Sequence, residues 1–206
     1  MLPIKRSIAT CILMSVTALA SGPRERLVHL QPAELQAIQP KLDPSLLPSG
    51  ATQVAIEKEQ TFKLIQKNAP DTTLVPVHFN LSADTSTGRK ASDGCGAYLL
   101  TVGSPVTFVR FKAVIERWIT PSEHCSGGVE AVGADIPRKD ASVADFILIY
   151  KVNTSDGIEH RFALFRWYIF SNTYIDRSYV VNTLMDSAHP PTTIRGVLRI
   201  LGDRSN

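Results

Sequence analysis

The sequence has no apolar run long enough to cross a membrane as a helix. Its most apolar stretch, residues 7–19 (SIATCILMSVTAL), is roughly thirteen residues and includes Ser and Thr, whereas a spanning helix needs about twenty apolar residues. An excess of one charge is also lacking: 22 Lys and Arg stand against 19 Asp and Glu. This near balance gives no electrostatic argument for nucleic acid or an anionic membrane as the main partner. Histidine pairs at ligand spacing are absent. His29, His78, His124, His160 and His189 form neither HxH nor HExxH, so no metal site is read from them and they are taken as surface or hydrogen-bonded core residues. GxSxG is missing, as are a P-loop and a GxGxxG after a strand, so neither a serine hydrolase nor a nucleotide-binding enzyme is indicated and no cofactor is implied. There is no internal repeat.

The short apolar stretch is better explained as an address. Lys5 and Arg6 precede it and Ala18-Leu19-Ala20 follows, the small-x-small pattern that a signal peptidase accepts. Residues 1–20 therefore read as a cleaved export signal, which places the chain in the periplasm or outside the cell with no stable span after cleavage. Cys11 lies inside the apolar run, where lipid attachment is not expected. Without Lys5 and Arg6 the counts become 20 basic and 19 acidic residues. The compact basic start suits a bacterial exporter. Asn80-Leu81-Ser82 and Asn153-Thr154-Ser155 match the glycosylation acceptor pattern, a common tripeptide that carries meaning only on a eukaryotic route.

Of three cysteines, cleavage leaves Cys95 and Cys125. An even count in an oxidising compartment favours a disulfide between them. His124 directly precedes Cys125, but neighbours on an extended chain point to opposite sides. DGCGA and HCSGG therefore read as two ends of a bridge rather than as a reactive thiol.

Residues 21–50 hold five of the thirteen prolines and read as a proline-rich arm or linker. Within it Pro32 starts a short helix with Leu35, Ile38 and Leu42 at helical spacing. Residues 51–206 read as one β-rich globular domain, with 51–68 open between strand and helix. The fold class is mainly β, with α+β possible: an antiparallel, sandwich-like meander. Val75, Val77, Phe79 and Leu81 alternate with Pro76, His78 and Asn80, and the proline argues for an edge strand. Residues 97–102 and 106–119 flank the turn Gly103-Ser104-Pro105. Residues 145–152 and 158–170 form a hairpin around Asp156-Gly157, and 174–181 return after Ser171-Asn172-Thr173. Residues 160–170 are apolar on both faces, which means burial on both sides or one aromatic face shown to a partner. Ile194, Val197, Leu198 and Leu201 favour a C-terminal helix capped by Thr193 and stopped by Gly202. Residues 83–96 and 120–143, rich in Gly, Ser and Asp, read as long loops tied by the bridge.

Two functions follow. The first is an exported domain that binds a protein partner, such as an inhibitor, an immunity-type protein or an envelope accessory protein, through loops on a rigid scaffold. The second is a small secreted hydrolase acting on glycan or peptide through Asp93, Glu123 and His124, with Glu130 and Asp135 in the same loops.

Overall fold

The computed structural model describes residues 26–66, 69–83, 91–111, 124–135, 145–154, 157–168, 173–178 and 191–203. The expected leader, residues 112–119 of the expected long strand, Glu123, the turn at Ser171 and the end of the return after Ser178 lie outside them. Among the described residues the strands and α-helices run in the order β1 (Arg26–His29), α1 (Pro32–Ile38), β2 (Ala51–Ile56), β3 (Phe62–Ile65), β4 (Thr72–Leu81), β5 (Ser92–Thr101), β6 (Thr107–Arg110), β7 (His124–Asp135), β8 (Asp145–Thr154), β9 (Gly157–Tyr168), β10 (Thr173–Asp176) and α2 (Ile194–Asp203). They form two antiparallel sheets. One has the order β1-β3-β4-β5-β6 with β2 also paired to β4, and the other is β10-β9-β8-β7. The expected meander is therefore present in both halves of the chain.

Alternation along each strand builds four layers. Leu74 of β4, Cys95, Ala97 and Leu99 of β5 face Phe146, Leu148, Tyr150 and Val152 of β8 and Ala163, Phe165 and Trp167 of β9, and this is the inter-sheet core. The opposite face of β4 and β5 carries Val75, Val77, Phe79, Leu81 and Tyr98, which pack under Leu35 of α1. The opposite face of β8 and β9 carries Ile147, Ile149, Phe162 and Leu164, which pack under Val197 of α2. Burial on both faces of β9 settles which of its two readings holds in this fold.

Local chemistry explains where the sequence pattern misleads. Pro76 lies in a central strand, not at an edge. Its carbonyl accepts the Glu57 N–H at 2.9 Å, so its ring nitrogen points to the same side. On that side β3 pairs only as far as Leu74 and β2 begins only at Val77. The missing N–H therefore falls where one neighbour has ended and the next has not started. The glycines that suggested a loop around Cys95 are strand residues: a Cβ at Gly94 would collide with the Phe79 ring and one at Gly96 with the Phe108 ring. The second expected loop likewise contains β7. Residues 26–50, set apart by their prolines as an arm, contribute β1, which pairs with β3, and α1, whose Leu35 is buried. The Tyr98 hydroxyl donates to the Asp43 carbonyl at 3.0 Å, holding the turn that follows the helix. The α2 helix is capped as expected, with the Gly196 N–H donating to Thr193 Oγ1 at 3.2 Å, but it runs through Gly202 to Asp203.

Buried polar groups are concentrated at one end. Thr72 Oγ1 lies 3.1 Å from Thr101 Oγ1, and Gln66 Nε2 donates to the Tyr174 hydroxyl at 3.1 Å. Asp145, buried at the start of β8, accepts a forked bond from Arg166 directly opposite on β9, a geometry that a lysine could not supply.

Two predictions test this arrangement. Phe165 is fully buried with its ring stacked 6.0 Å from that of Phe111. Phe165→Ala should cost about 3 to 5 kcal/mol in urea unfolding, whereas Ile158→Ala, at a site 62% exposed, should cost little. Burial pushes the Tyr174 hydroxyl up to about 12 from 10.0. The fold thus favours the neutral phenol, and its contribution is complete below pH 10 and lost as pH rises towards 12. An alkaline titration followed by tyrosinate absorbance should show a late ionisation coinciding with unfolding, and Tyr174→Phe should reduce its amplitude.

Candidate functional site at the bridged end

Cys95 in β5 is bonded to Cys125 in β7, with 5.8 Å between their Cα atoms and a sequence separation of 30. The bridge joins one sheet to the other, and with both sulfurs in it neither is a nucleophile. Asp93, two residues before Cys95, is exposed on β5 opposite Asn80. His124 begins β7 opposite Asn153, at the end where Cys125 pairs with Val152. The bridge thus brings Asp93 and His124 to the same end of the sandwich. Asp135 is the last residue of β7, paired with Asp145, and so lies at the opposite end of that strand.

Glu130 is committed elsewhere. Its carboxylate meets Lys151 Nζ at 2.5 Å and His160 Nε2 at 2.7 Å. The hydrogen bond from Lys151 is the largest influence and holds the carboxyl below its usual range, against the opposing effect of partial burial. Lys151 and His160 are direct cross-strand partners on β8 and β9. The three form an ion-pair row in which the acid is already neutralised.

The closer histidine–carboxylate pair at the bridged end was not among the expected residues. His78 of β4, directly opposite Cys95, places Nδ1 2.6 Å from Glu57 Oε1. Glu57 follows β2 and is held by its own N–H on the Pro76 carbonyl. From the other sheet, Gly128 of β7 backs onto the Glu57 carboxylate so closely that a Cβ there would collide with it. Three residues of β7, Ser126 to Gly128, stand opposite Lys151 alone, because Cys125 pairs with Val152 and Val129 with Tyr150. This bulge begins at the bridged cysteine and ends at buried Val129, so the bridge sets where Gly128 meets Glu57.

A second irregularity sits beside the first. Between Thr52 and Ala55 the β2 register shifts, and Gln53 takes φ 49, a left-handed conformation costly for a residue with a Cβ. That geometry aims its side chain at Asn80, whose Nδ2 donates to Gln53 Oε1 at 2.6 Å. The bridged end therefore collects His78, Glu57, Asn80, Gln53 and Asp93 around two backbone irregularities. The alternation of β4 does put His78 and Asn80 on one polar face. Nothing in the sequence links them to Glu57 or Gln53, more than twenty residues away, because that link exists only through strand pairing. Among the described residues no group of three His, Cys, Asp or Glu side chains is placed to hold a metal ion. The chain matches no protein-family model, and neither curated proteins nor solved structures match it.

Gly103 provides an internal control for Gly128. Their φ values are 78 and 80, yet nothing lies near a Cβ at Gly103. Each substitution to Ala should cost about 1 to 2 kcal/mol for the left-handed conformation, and Gly128→Ala should cost more by the displacement of Glu57. Equal losses in urea unfolding would show that the Glu57 contact carries no weight.

Proposed function

We propose that this chain is an exported, disulfide-stabilised β domain, periplasmic or secreted, that binds a protein partner through the bridged end of its sandwich. The observation that carries the reading is the Cys95–Cys125 bridge between the two sheets, a cross-link that persists in oxidising compartments and is rare in the cytosol. The export-signal pattern of residues 1–20 is consistent with that destination. Among the described residues no helix is long and apolar enough to cross a membrane.

The composition of the bridged end supports recognition of a protein. Ile158 and Val54 are exposed apolar residues, on the β8–β9 hairpin and the β2 bulge. Exposed Asp93, Asn153 and His78 lie on the strands beside them. Apolar side chains within a polar rim, carried by a cross-linked scaffold, are the anatomy of a standard interface. Near-neutral charge in the mature chain leaves nucleic acid without an electrostatic attraction.

The test uses the full chain, produced with its own leader in its native host. Chemical cross-linking should capture one protein in stoichiometric amount, and the captured chain should begin at Ser21. Ile158→Asp with Asp93→Arg should abolish capture while leaving the fold intact. An uncleaved leader, or capture unaffected by the double substitution, would contradict the reading. The rival hydrolase reading is supported by one observation, the Glu57–His78 pair, at residues other than Asp93, Glu123 and His124.

A further inference from the structure

Two histidine–carboxylate pairs lie among the described residues, and they differ in how the ring is held. At His160 the carboxylate meets Nε2 at 2.7 Å and is shared with Lys151, and the imidazole is 24% exposed. That carboxylate is neutralised by an ammonium group. At His78 the carboxylate of Glu57 meets Nδ1 at 2.6 Å, and the ring is 48% exposed. A carboxylate can only accept, so Nδ1 carries the hydrogen and the lone pair of the neutral ring lies on Nε2. A ring oriented at Nδ1 by an acid, with Nε2 left to take a proton, is the arrangement that activates a hydroxyl or water in acyl transfer.

The surroundings supply the other parts. Asn80 lies two residues along the same face of β4, about 7 Å away. It engages the Gln53 carbonyl oxygen, which leaves the Gln53 Nε2 hydrogens as donors for a substrate carbonyl. Gln53 is held there in a left-handed conformation at a bulge, and such strain clusters where function requires a fixed geometry. Exposed Asp93, opposite Asn80, places a negative charge beside this position. It would repel anionic esters and tolerate neutral or cationic ones.

We propose that His78, oriented by Glu57, is a general base and that the bridged end hydrolyses neutral or cationic acyl esters. In the step, water gives a proton to His78 Nε2 as its oxygen bonds to the carbonyl carbon, and the carbonyl electron pair moves onto oxygen, where Gln53 Nε2 donates. Collapse breaks the carbon–oxygen bond to the alcohol, which leaves with the proton returned from Nε2. Glu57 acts as a positioning residue through its contact with His78 Nδ1. This activity does not depend on the partner reading, and either stands if the other fails.

The test uses the oxidised full chain with p-nitrophenyl acetate as the probe. His78→Gln should lower kcat/KM at least about tenfold, and His160→Gln should leave it unchanged. Glu57→Gln should lower kcat with little change in KM, as expected for a group that orients the base. Because a variant can lose activity by misfolding, His78→Gly is assayed with added imidazole, which should restore turnover above the rate that the same imidazole gives without protein and with His78→Gln. Asp93→Asn should narrow the preference for acetylthiocholine over 4-acetoxybenzoate. The proposal is overturned if His78→Gln stays within about twofold of the unaltered chain, if His160→Gln loses as much activity, or if imidazole does not rescue His78→Gly.

Discussion

The covalent tie between β5 and β7 is the constraint on which the rest of this structure depends. Each sheet has a continuous hydrogen-bonded ladder of its own, but nothing in backbone pairing fixes one sheet against the other. Among the described residues that relation rests on the apolar core, on Cys95–Cys125 and on the buried Gln66–Tyr174 hydrogen bond. Placed at one end of the sandwich, the bridge fixes the start of β7. The bulge that follows then meets Glu57 from the opposite sheet. The geometry of the polar cluster at that end is a consequence of the cross-link as much as of the strands.

The second constraint is that the central stretches of the middle strands are buried on both faces. The β8 strand buries Phe146, Leu148 and Tyr150 on one side and Ile147 and Ile149 on the other, so a sandwich alone would leave the two isoleucines exposed. The α2 helix covers the second face through Val197. On the far side α1 does the same for β4 through Leu35. Burying a large aliphatic side chain contributes about 1.5 to 3 kcal/mol, so these short helices are required by the composition of the strands beneath them. Where α2 no longer covers the sheet, the row continues as Lys151 and His160, and the apolar pattern gives way to an ion pair.

Much of this was legible in the sequence because it is local. The pairing of β8 with β9, the helices α1 and α2 and the period-2 alternation of β4 each depend on a few adjacent residues. The misreadings share a different cause. Glycines at 94 and 96 resemble loop residues until Phe79 and Phe108 are seen to occupy the space their side chains would need. Pro76 resembles an edge residue until β2 and β3 are seen to meet beside it. The choice of Cys95 and Cys125 as a bridge follows from their even count once residues 1–20 are read as an export signal. The His78–Glu57 pair has no one-dimensional trace, since its members meet only through the pairing of β2 with β4.

The central claim is that the bridge does thermodynamic work between the sheets. The most direct measurement is urea unfolding of the oxidised chain beside the Cys95→Ser/Cys125→Ser double variant under identical conditions. Closing a loop of 30 residues predicts a difference of about 3 to 4 kcal/mol in favour of the bridged chain. Equal stability of the two would contradict the account.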